Sequence, residues 1–401
     1  MGKETTEIVV VGGGPAGLTA AIAFARAGIE TVLVSKRPPG PDHRTTALLL
    51  SSVTALDSLG VWERCRTQAA PLRMIRIVDD TARLLRAPEI SFDAGEIGLD
   101  AFGQNIENRH LLAVLDAGVT ELGSVTRIDD EAHAVDISKS GVTVRLKSGG
   151  DVSARLAIGA DGRNSLCRAA AGIEIDARVF PQTALTFNLG HARPHKDIST
   201  EFHTPAGPFT LVPLPDNRSS LVYVTDQETA RSISEMDEAA LSRKLERRAH
   251  SILGKLTVES GRGAFPLAIQ TARRFAGDRI ALVGEAAHVL PPIGAQGLNL
   301  GLRDAATIAE IVVDARRGGM DIGTPSALAR YDALRRADVT SRTLAVDLLN
   351  RSLLSDFLPL QGARQLGFFL LQHIGPLRRA VMREGVAPAL SQPKLMRGEA
   401  L

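Results

Sequence analysis

A short apolar run, a glycine-rich turn and an alanine-rich segment follow one another at the start of the chain. Residues 7–11 read EIVVV, residues 12–17 read GGGPAG, and the alanine-rich residues 18–27 precede Gly28. This order predicts a buried strand, a tight turn and a helix, with a second buried strand at 31–34. In such a unit Gly12 permits the turn, Gly14 lets backbone approach a pyrophosphate, and Gly17 lets helix and strand pack closely. The sequence therefore predicts a dinucleotide at the amino end of this helix, the alternative being a glycine turn without a ligand.

The residues after the second predicted strand leave two interpretations open. An acidic residue usually binds the adenosine ribose at this place, but this chain has Ser35, Lys36 and Arg37. Basic residues there hold the 2′-phosphate of NADP in some dinucleotide-binding domains, which favours an NADP-dependent dehydrogenase. Alternatively, Lys36 and Arg37 lie in a solvated loop. These three residues alone do not distinguish the two interpretations.

Composition excludes several classes of protein. Of 401 residues, 44% are hydrophobic and 23% are charged, which is typical of a folded globular chain and not of a disordered one or a coiled coil. The net charge is +2 and no long basic run occurs, so we expect no nucleic-acid partner. Cys65 and Cys167 match no metal-binding spacing, so we expect no metal, and buried thiols in a reducing cytoplasm. No apolar run is long enough for a transmembrane helix.

The pattern of apolar residues divides the chain into four parts. Residues 46–59 and 108–122 have helical patterns, and residues 125–158 alternate as strands. Residues from about 176 to 269 are mostly β, with a predicted helix at 236–253, and a buried strand at 279–283 leads back to the first domain. We therefore expect a nucleotide-binding domain at 1–175 that resumes at 270–350, an inserted β-rich substrate domain at 176–269, and a helical tail at 351–401.

Two further motifs follow apolar strands. Residues 159–165 read GADGRNS, and residues 284–299 read GEAAHVLPPIGAQGLN. Glu285 comes just after a strand, where a carboxylate can accept hydrogen bonds from sugar-alcohol hydroxyls such as those of the ribitol chain of a flavin. The second motif ends in a glycine loop that begins a helix, and this geometry presents backbone N–H groups to an anion. An anionic reduced flavin, with its charge on the pyrimidine end, is such a ligand.

These motifs, together with residues 42–48 (DHRTTAL) and 107–109 (ENR), resemble those of the single-component FAD-dependent aromatic hydroxylases, the p-hydroxybenzoate hydroxylase-like class. Within that class the chain is similar to the ubiquinone-biosynthesis hydroxylases of α-proteobacteria, nearly throughout its length. The resemblance implies an α/β fold with a Rossmann-like FAD-binding domain, an inserted mostly β substrate domain and a helical C-terminal tail. It also implies a monooxygenase that uses NADPH or NADH and O₂ to hydroxylate a prenylated phenol through a flavin C4a-hydroperoxide.

The resemblance assigns roles to residues along the cofactor. The turn from Gly12 to Gly17 holds the FAD pyrophosphate, and Asp161 lies between the FAD phosphates and the approach of the nicotinamide cofactor. Glu285 binds ribitol, and the loop from Gly294 to Asn299 lies under the isoalloxazine. Pro292 lies near the reacting face of the flavin and is the one catalytic candidate.

The full set of expected FAD contacts is larger than these, and three of its members depart from the family. The family usually has Asp at the position of Glu285, Gly at that of Ala295, and an acidic residue at that of Ser35. Arg44 and Arg109 lie along the cofactor in this interpretation, or they are structural ion-pair partners. The set comprises Gly12, Gly14, Pro15, Ala16, Gly17, Ser35, Lys36, Arg37, Arg44, Thr46, Arg109, Val125, Asp161, Gly284, Glu285, Gly294, Ala295, Gly297, Leu298 and Asn299.

The β-rich segment is expected to line the substrate side, because the residues before 176 and after 269 build the flavin site. Alternation of the same kind is expected of any sheet core, so the alternative is that its apolar residues pack inside. His288, beside the glycine loop, is expected to be a partly buried histidine with satisfied hydrogen bonds and not a catalyst. The candidates for the substrate pocket are Phe187, Phe202, Phe209, Leu211, Val212 and Leu214.

The tail bears on where the protein works. Residues 366–371 read LGFFLL, and Arg378, Arg379 and Arg383 follow. An apolar helix face beside arginines suits the surface of an anionic membrane, where a prenylated phenol resides. The alternative is a helix that packs on the FAD-binding domain or on a partner subunit. We therefore expect a cytoplasmic protein, either free or peripheral on the inner membrane face, or associated with a biosynthetic complex.

Three functions follow from these patterns. The first is an FAD monooxygenase that acts on a small aromatic substrate, a prenylated phenol, with O₂. The second is an NADP-dependent dehydrogenase or another flavin enzyme, such as an epoxidase or a reductase. The third is a flavin-binding scaffold of a biosynthetic complex without turnover. A tightly bound flavin would exclude the plain dehydrogenase, and nicotinamide oxidation stimulated by substrate would exclude the scaffold.

Overall fold

A computed structural model describes residues 3–36, 40, 42–81, 87–354, 358–386 and 392–401. Within these ranges the strands are β1 Lys3–Val11, β2 Thr31–Val34, β3 Thr45–Leu49, β4 Ala69–Pro71, β5 Met74–Asp79, β6 Ile90–Asp93, β7 Gly103–Glu107, β8 Val125–Ile128, β9 Ala132–Ile137, β10 Val142–Leu146, β11 Asp151–Gly159, β12 Ile175–His191, β13 Ile198–Thr204, β14 Gly207–Leu214, β15 Arg218–Asp226, β16 Leu256–Val258, β17 Gly263–Ala272, β18 Ala276–Gly277, β19 Ile280–Leu282 and β20 His288–Val289. The helices are α1 Pro15–Arg26, α2 Leu50–Ser58, α3 Asn108–Glu121, α4 Leu166–Ala170, α5 Gln227–Ser234, α6 Glu238–Arg248, α7 Gln296–Arg317, α8 Pro325–Leu354, α9 Leu358–His373 and α10 Gly375–Val386.

The first sheet is built around parallel strands in the order β19-β11-β1-β2-β8, with β18, β10 and β9 added antiparallel. Its central strand contains the run Ile8–Val11, whose side chains are at most 4% exposed, as expected for a parallel strand that is buried on both faces. Helix α1 packs on this sheet and on α7, and its alanines let the two helices approach closely. The predicted α/β fold is confirmed, and the carboxyl ends of β1, β11 and β19 meet at one edge.

The second sheet has the order β20-β17-β12-β15-β14-β13-β5-β6, and β16 pairs with β12. Two of its strands come from residues 74–93 and one from residues 288–289, outside the segment 176–269. Helices α5 and α6 cover one face of this sheet through a second apolar core. Strand pairing shows that this sheet contains strands from three parts of the chain. The domain boundaries expected after residues 175, 269 and 350 stay a prediction.

Two predicted helices differ from the structure. The helix predicted at 46–59 begins only at Leu50, because Thr45–Leu49 instead pairs with β7 in a small three-stranded sheet. The helix predicted at 236–253 is shorter in the structure, because α6 begins at Glu238, after Asp237 accepts a hydrogen bond from the N–H of Ala240, and ends at Arg248. Both differences arise from capping and pairing partners that apolar periodicity does not detect.

The helical tail packs on the rest of the molecule through buried apolar residues of α10, Met382 and Val386, and through polar contacts. Arg378 of α10 forms an ion pair with Glu96, and Arg342 of α8 bonds to Glu384 of α10. No helix in the described ranges is both long and apolar enough to cross a membrane. Both cysteines are buried and free, which confirms the prediction of buried thiols.

Candidate active site

The glycine turn after β1 has the geometry that the sequence predicted. Gly12 has φ +113°, and a Cβ atom there would lie 2.2 Å from the carbonyl oxygen of Ala160. A Cβ atom on Gly17 would lie 2.1 Å from the carbonyl oxygen of Gly12. A Cβ atom on Gly14, in contrast, would meet no atom within 4 Å and would point into open space. Two of the glycines therefore permit tight packing, and the third leaves room beside the helix for a ligand.

The amino end of α1 faces that open space. Gly14 caps the helix without a side-chain hydrogen bond, and Pro15 is its first residue. The backbone N–H groups of the first turn have no intrahelical partners and lie at the positive end of the helix dipole. Ala16 packs against Gly284 and Gly301, so the turn also contacts the later motif. Free N–H groups beside an unfilled space fit the pyrophosphate of FAD.

Ser35 lies next to the glycine turn, whereas Lys36 does not point into it. Ser35 is buried, and a Cβ atom on Gly13 would lie 1.9 Å from its Oγ. The ammonium group of Lys36 is exposed and lies 3.8 Å from a carboxylate oxygen of Glu131. Arg37, the third member of the predicted group, lies outside the described residues. For residues 35–37, the NADP site and the solvated loop therefore both stay predictions.

Arg44 is held in place by the residues around it. Its guanidinium donates hydrogen bonds of 2.7–3.1 Å to both carboxylate oxygens of Asp42. Asn108 donates to the same carboxylate and accepts a 2.6 Å bond from the hydroxyl of Thr46. Burial favours the neutral form of Asp42, yet the bonds from Arg44 and Asn108 outweigh it and lower the pKa of Asp42. Arg44 also lies 5.6 Å from the ring centre of Phe265, so it links the loop before β3 to β17 of the second sheet.

Arg109 belongs to a second network, centred on a buried carboxylate. Glu107 is 2% exposed and accepts hydrogen bonds from Arg109 and Asn188. Arg218 also contacts Glu107, at 3.0 Å, and binds both carboxylate oxygens of Glu259. Both arginines of the resemblance therefore have structural partners. Such pairing does not exclude contact with a cofactor, because Arg109 is 42% exposed.

Asp161 organises the turn that follows β11. One carboxylate oxygen accepts a 2.6 Å hydrogen bond from the hydroxyl of Ser165, and the other accepts a 3.0 Å bond from the N–H of Cys167. Burial, and secondarily the charge of Asp161, raise the pKa of Cys167 well above its usual range. Arg168 then donates to the carbonyl oxygen of Ala286, which ties this turn to the later motif.

The segment from Gly284 to His288 is anchored at both ends by one carboxylate. Asp304 of α7 accepts a 2.9 Å hydrogen bond from the N–H of Gly284 and a 2.7 Å bond from Nε2 of His288. Its other oxygen accepts a 2.6 Å bond from Arg335 of α8. Although burial opposes ionisation, His288 and Arg335 lower the pKa of Asp304. The exposed carboxylate of Glu285, between these anchors, has no hydrogen bond or ion pair with the described residues, so it is free to accept from a ligand.

His288 itself is more deeply buried than the sequence suggested. The residue is 1% exposed, and its Nδ1 has no hydrogen-bond partner among the described residues. The prediction of a partly buried, fully satisfied histidine is therefore wrong in degree. Its expected non-catalytic character stays a prediction, and its location behind the segment suits an anchoring role.

The loop before α7 carries an unusual backbone conformation. Gly294 and Ala295 both have left-handed dihedral angles, with φ +65° and +53°. The side-chain amide of Asn299 donates to the carbonyl oxygens of Ala295 and Ala47, and its oxygen accepts from the N–H of Leu49. The left-handed region costs a residue with a Cβ roughly 1–2 kcal/mol, so this loop is held against strain by the bonds of Asn299.

Two later members of the same loop differ in their surroundings. A Cβ atom on Gly297 would meet nothing within 4 Å, as at Gly14. Leu298 is half-buried against the core of the first domain. The loop thus has one side packed on the fold and one side open, which fits a flat ring system lying on it.

A cavity of about 180 Å³ lies between the segment 284–292 and the second sheet. Pro292 and Glu285 line one side of it, and strands β12, β15 and β17 line the other. Arg163, whose side chain is exposed, also lines it. The full lining is His43, Arg44, Thr45, Arg163, Ala184, Thr186, Phe187, Asn188, Ser220, Leu221, Val222, Phe265, Pro266, Leu267, Ala268, Glu285, Val289, Leu290, Pro291 and Pro292.

The predicted substrate residues require correction. Phe202, Phe209 and Leu211 belong to the core under α5 and α6, on the face of the sheet opposite to the cavity. Phe187 belongs to the same core but also lines the cavity, as predicted. Alternation separates the two faces of a strand, but it does not say which face meets a ligand.

Val212 and Leu214 alternate with Leu211 and therefore point to the cavity face of the sheet. Neither residue lines the cavity, because both lie on β14, one strand beyond β15. Phe187 and Leu221 line it from β12 and β15, together with smaller or polar residues of the same strands. These residues are Ala184, Thr186, Asn188, Ser220 and Val222.

Val125 is a further correction. It pairs with Thr31 at the amino end of β8, whereas the glycine turn follows the carboxyl end of β1. Three residues separate Val125 from Ile128 at the carboxyl end, about 10 Å along the strand. A contact between Val125 and a ligand in the glycine turn is therefore excluded by the strand direction.

Several site residues were not predicted from the sequence. Asp42 and Asn108 were quoted only as parts of motifs, and Arg168, Asp304 and Arg335 were not identified. Each of them contacts residues far away in the chain, so no local spacing reveals it. No group of three or more His, Cys, Asp or Glu side chains in the described ranges has the arrangement of a metal site.

Comparison of the sequence and of the fold identifies similar proteins. The model of the FAD binding domain family matches residues 5–344. The chain is 35% identical to ubiquinone hydroxylase UbiL of Rhodospirillum rubrum, over 98% of this chain and 93% of that protein. It is 31% identical to 3-demethoxyubiquinol 3-hydroxylase of Escherichia coli, over 96% of this chain and 99% of that protein. The crystal structure of p-nitrophenol 4-monooxygenase PnpA of Pseudomonas putida superposes with a TM-score of 0.78 at 21% identity, covering 95% of this chain and 98% of that chain, which indicates a shared fold.

Proposed function

Because this chain belongs to the FAD-dependent monooxygenase family that includes ubiquinone hydroxylases, we propose that it hydroxylates the ring of a prenylated phenol in ubiquinone biosynthesis. The observation that carries this proposal is the cavity between the FAD-binding segment and the second sheet. It has Glu285 and Pro292 on one side and strands of the inserted segment on the other. A flat phenol ring in this cavity would lie against both.

Different residues would bind different parts of FAD. The turn from Gly12 to Gly17, with Pro15 and Ala16, would hold the pyrophosphate at the amino end of α1. Glu285 would accept from ribitol, and the loop from Gly294 to Asn299 would support the isoalloxazine. FAD supplies the redox chemistry that activates O₂, and the protein supplies position and shielding.

The residues of the cavity would orient the ring and keep water away from it. Pro291 and Val289 are buried and apolar, and they line the cavity beside Pro292. Exclusion of water matters because an activated oxygen species otherwise decays to H₂O₂ without hydroxylating the ring. Pro292 would lie near the reacting face and act by shape, since it has no ionisable group.

NADPH or NADH would be the transient source of electrons. Asp161 and Arg163 lie on the turn after β11, and the exposed Arg163 lines the cavity mouth. A free guanidinium is suited to a phosphate of a passing dinucleotide. Lys36 is placed less well for this role, because Glu131 lies within ion-pair distance of it.

The tail would hold the protein at a membrane surface on the cytoplasmic side. Leu366 and Phe369 of α9 are 57% and 51% exposed, and Leu377 and Val381 of α10 are also exposed. Two exposed arginines, Arg379 and Arg383, lie on α10 beside them, whereas Arg378 pairs with Glu96. Apolar groups flanked by cations suit a leaflet of anionic lipid, where prenylated phenols dissolve.

The experiment that tests the proposed function measures nicotinamide oxidation by the FAD-loaded protein under air. We expect ortho-geranylphenol to accelerate NADPH or NADH oxidation and to yield a hydroxylated product on chromatography. Glu285→Gln should weaken FAD binding, since a neutral amide is a poorer acceptor for ribitol hydroxyls. A rate of nicotinamide oxidation that the phenol does not change, without hydroxylated product, would contradict the proposal. It would favour a scaffold or another flavin enzyme.

A further inference from the structure

The cavity changes in polarity from one end to the other. At one end the side chains of Thr186, Asn188 and Ser220 offer hydrogen-bonding groups. Towards the other end the lining becomes apolar, with Ala184, its pairing partner Phe265 and Leu267, and Val222 pairs with Thr186 between the two ends. The strand register sets this order, because Asn188 pairs with Ser220 and Ala184 pairs with Val224 four residues away. A molecule with a polar ring and an apolar chain would therefore have one preferred direction in it.

The apolar end continues beyond the cavity into a small cluster. Ala184, Val222 and Leu267 also pack with Phe180, Val224 and Ile269, which do not line the cavity. Phe180 is 3% exposed and lies four residues before Ala184, about 13 Å along an extended strand. The pairing of β12 with β17 shifts register between Val179 and Thr183, so the strand is irregular where Phe180 enters the cluster. Such irregularities often re-aim a side chain beside a ligand site.

Phe180 is in turn covered by groups that lead to the surface. The guanidinium of Arg178 lies 5.0 Å from the centre of its ring and donates 3.0 and 3.2 Å hydrogen bonds to Asp347 of α8. Leu344 and Leu348, on the same helix as Asp347, are 57% and 58% exposed. The cavity residues Ala184, Val222 and Leu267 thus form an apolar strip of the lining, and Phe180, packed behind them, closes that strip.

The opposite end of the cavity is closed to an apolar chain. There Asn188 donates to the buried carboxylate of Glu107, which also contacts Arg109 and Arg218. An aliphatic chain in that place would separate buried charges from their partners without replacing their hydrogen bonds. On the side of the second sheet, the apolar lining residues therefore lie towards Phe180.

We propose that the prenyl chain of the substrate occupies this apolar strip and that Phe180 determines how much of the chain the site accepts. This inference rests on the proposed function, since it takes a prenylated phenol as the substrate class. The ring stays at the polar end, where Asn188, Thr186 and Ser220 face it. Phe180 is a specificity-determining residue and takes no part in the chemistry.

The test varies the size of residue 180 and the length of the chain. The probes are phenol, ortho-geranylphenol and ortho-farnesylphenol, and the variants are Phe180→Ala and Phe180→Trp in the FAD-loaded protein. We expect the ratio of kcat/KM for farnesylphenol to that for phenol to rise about tenfold in the alanine variant and to fall about tenfold in the tryptophan variant. The Kd of farnesylphenol, measured by calorimetry without nicotinamide, should change in the same two directions.

Phe202→Ala is the matched control, because Phe202 is also 3% exposed but packs on the other face of the sheet. It should leave the ratio within about twofold of the wild-type value. If the alanine variant at 180 does not fold, Phe180→Leu replaces it, with a smaller shift in the same direction.

Equal effects of both substitutions at 180 on phenol and farnesylphenol would overturn the inference, as would an equal effect of Phe202→Ala on the ratio. Failure of the proposed function has a different signature. The wild-type protein would then hydroxylate no phenol at all, while the Kd of farnesylphenol would still respond to residue 180 if the apolar strip binds the chain.

Discussion

At Gly14 the missing side chain leaves open space beside α1, whereas at Gly12 and Gly17 it avoids collision with backbone atoms. The sequence motif assigned these different roles correctly, because each role follows from the path of a strand–turn–helix unit. The roles of Asp304 and Arg335 could not be assigned in this way. The contacts of Asp304 with Gly284 and His288, and of Arg335 with Asp304, depend on how α7 and α8 pack, which no local pattern encodes.

Gly14→Ala should separate folding from FAD binding. The φ of Gly14 is −72°, which alanine adopts without strain, and its Cβ atom would meet no protein atom within 4 Å. The methyl group would instead occupy the space expected for the pyrophosphate. We therefore expect the melting temperature of the FAD-free protein to be unchanged and the Kd of FAD to rise about tenfold or more, as measured by flavin fluorescence.

Gly123→Ala is the control for this substitution. A Cβ atom on Gly123 also meets nothing within 4 Å, but the residue lies between α3 and β8, at the amino end of the strands. It should leave the Kd of FAD unchanged. An unchanged Kd in the Gly14 variant as well would show that the pyrophosphate does not lie beside this residue.

At the scale of elements, the segment from Gly284 to Pro292 depends on α7 and α8 for its position. Asp304 anchors the segment, Arg335 binds Asp304, and Asp338 accepts a 2.7 Å bond from Arg335 and another from Arg303. Helices at 298 and beyond were predicted from sequence. Their buried ion pairs were not, because a charged residue in a helix is usually on its solvated face.

Asp304→Asn should weaken the protein at neutral pH and change its response to acid. The folded-state pKa of Asp304 is below its usual 3.8, although burial alone would raise it, because His288 and Arg335 favour the charged form. Its contribution is therefore complete above about pH 5 and is lost as the pH falls past 3.8 to the lower folded value. We expect the free energy of unfolding in urea to fall by about 3 kcal/mol at pH 7 in the variant, and the difference from wild type to shrink on acidification.

Glu121→Gln serves as the control for acid sensitivity. Glu121 also has an arginine partner, Arg64, but both side chains are at least half exposed. Exposed pairs contribute little, so this variant should follow the wild-type curve. A constant difference between wild type and Asp304→Asn at every pH would contradict the assignment of the charge to Asp304.

At the scale of the whole molecule, the sequence predicted the α/β class, and comparison with known proteins confirms the family. The sequence pattern did not predict that β5, β6 and β20 complete the second sheet. Strands distant in sequence pair through backbone groups that every residue carries, so composition contains little information about their partners. The same limit explains the error in the substrate residues, since Phe202 and Phe209 were assigned to the substrate pocket but lie on the face that α6 covers.

Binding of the whole protein to vesicles tests the role of the tail. Arg379→Glu with Arg383→Glu reverses two exposed charges on α10, one turn apart. Each basic residue near an anionic surface contributes about 1 kcal/mol. We therefore expect the double variant to lose vesicle affinity at least about tenfold in sedimentation with phosphatidylglycerol-containing vesicles.

The matched control for vesicle binding is Arg243→Glu with Arg247→Glu. These exposed arginines have the same spacing on α6, which covers the second sheet away from the tail. Reversal of their charges should leave binding unchanged. Equal losses in the two double variants would indicate attraction by net charge alone, and the tail would have no special role.

The central claim, that this protein inserts oxygen from O₂ into an aromatic ring, is tested most directly by isotope labelling. The FAD-loaded protein is incubated with NADPH or NADH and ortho-geranylphenol under ¹⁸O₂, and the product is analysed by mass spectrometry. The account predicts one ¹⁸O atom in each molecule of hydroxylated product, since a monooxygenase delivers one atom of O₂ to the substrate and reduces the other to water. A hydroxylated product without ¹⁸O, or nicotinamide oxidation that yields only H₂O₂, would contradict it.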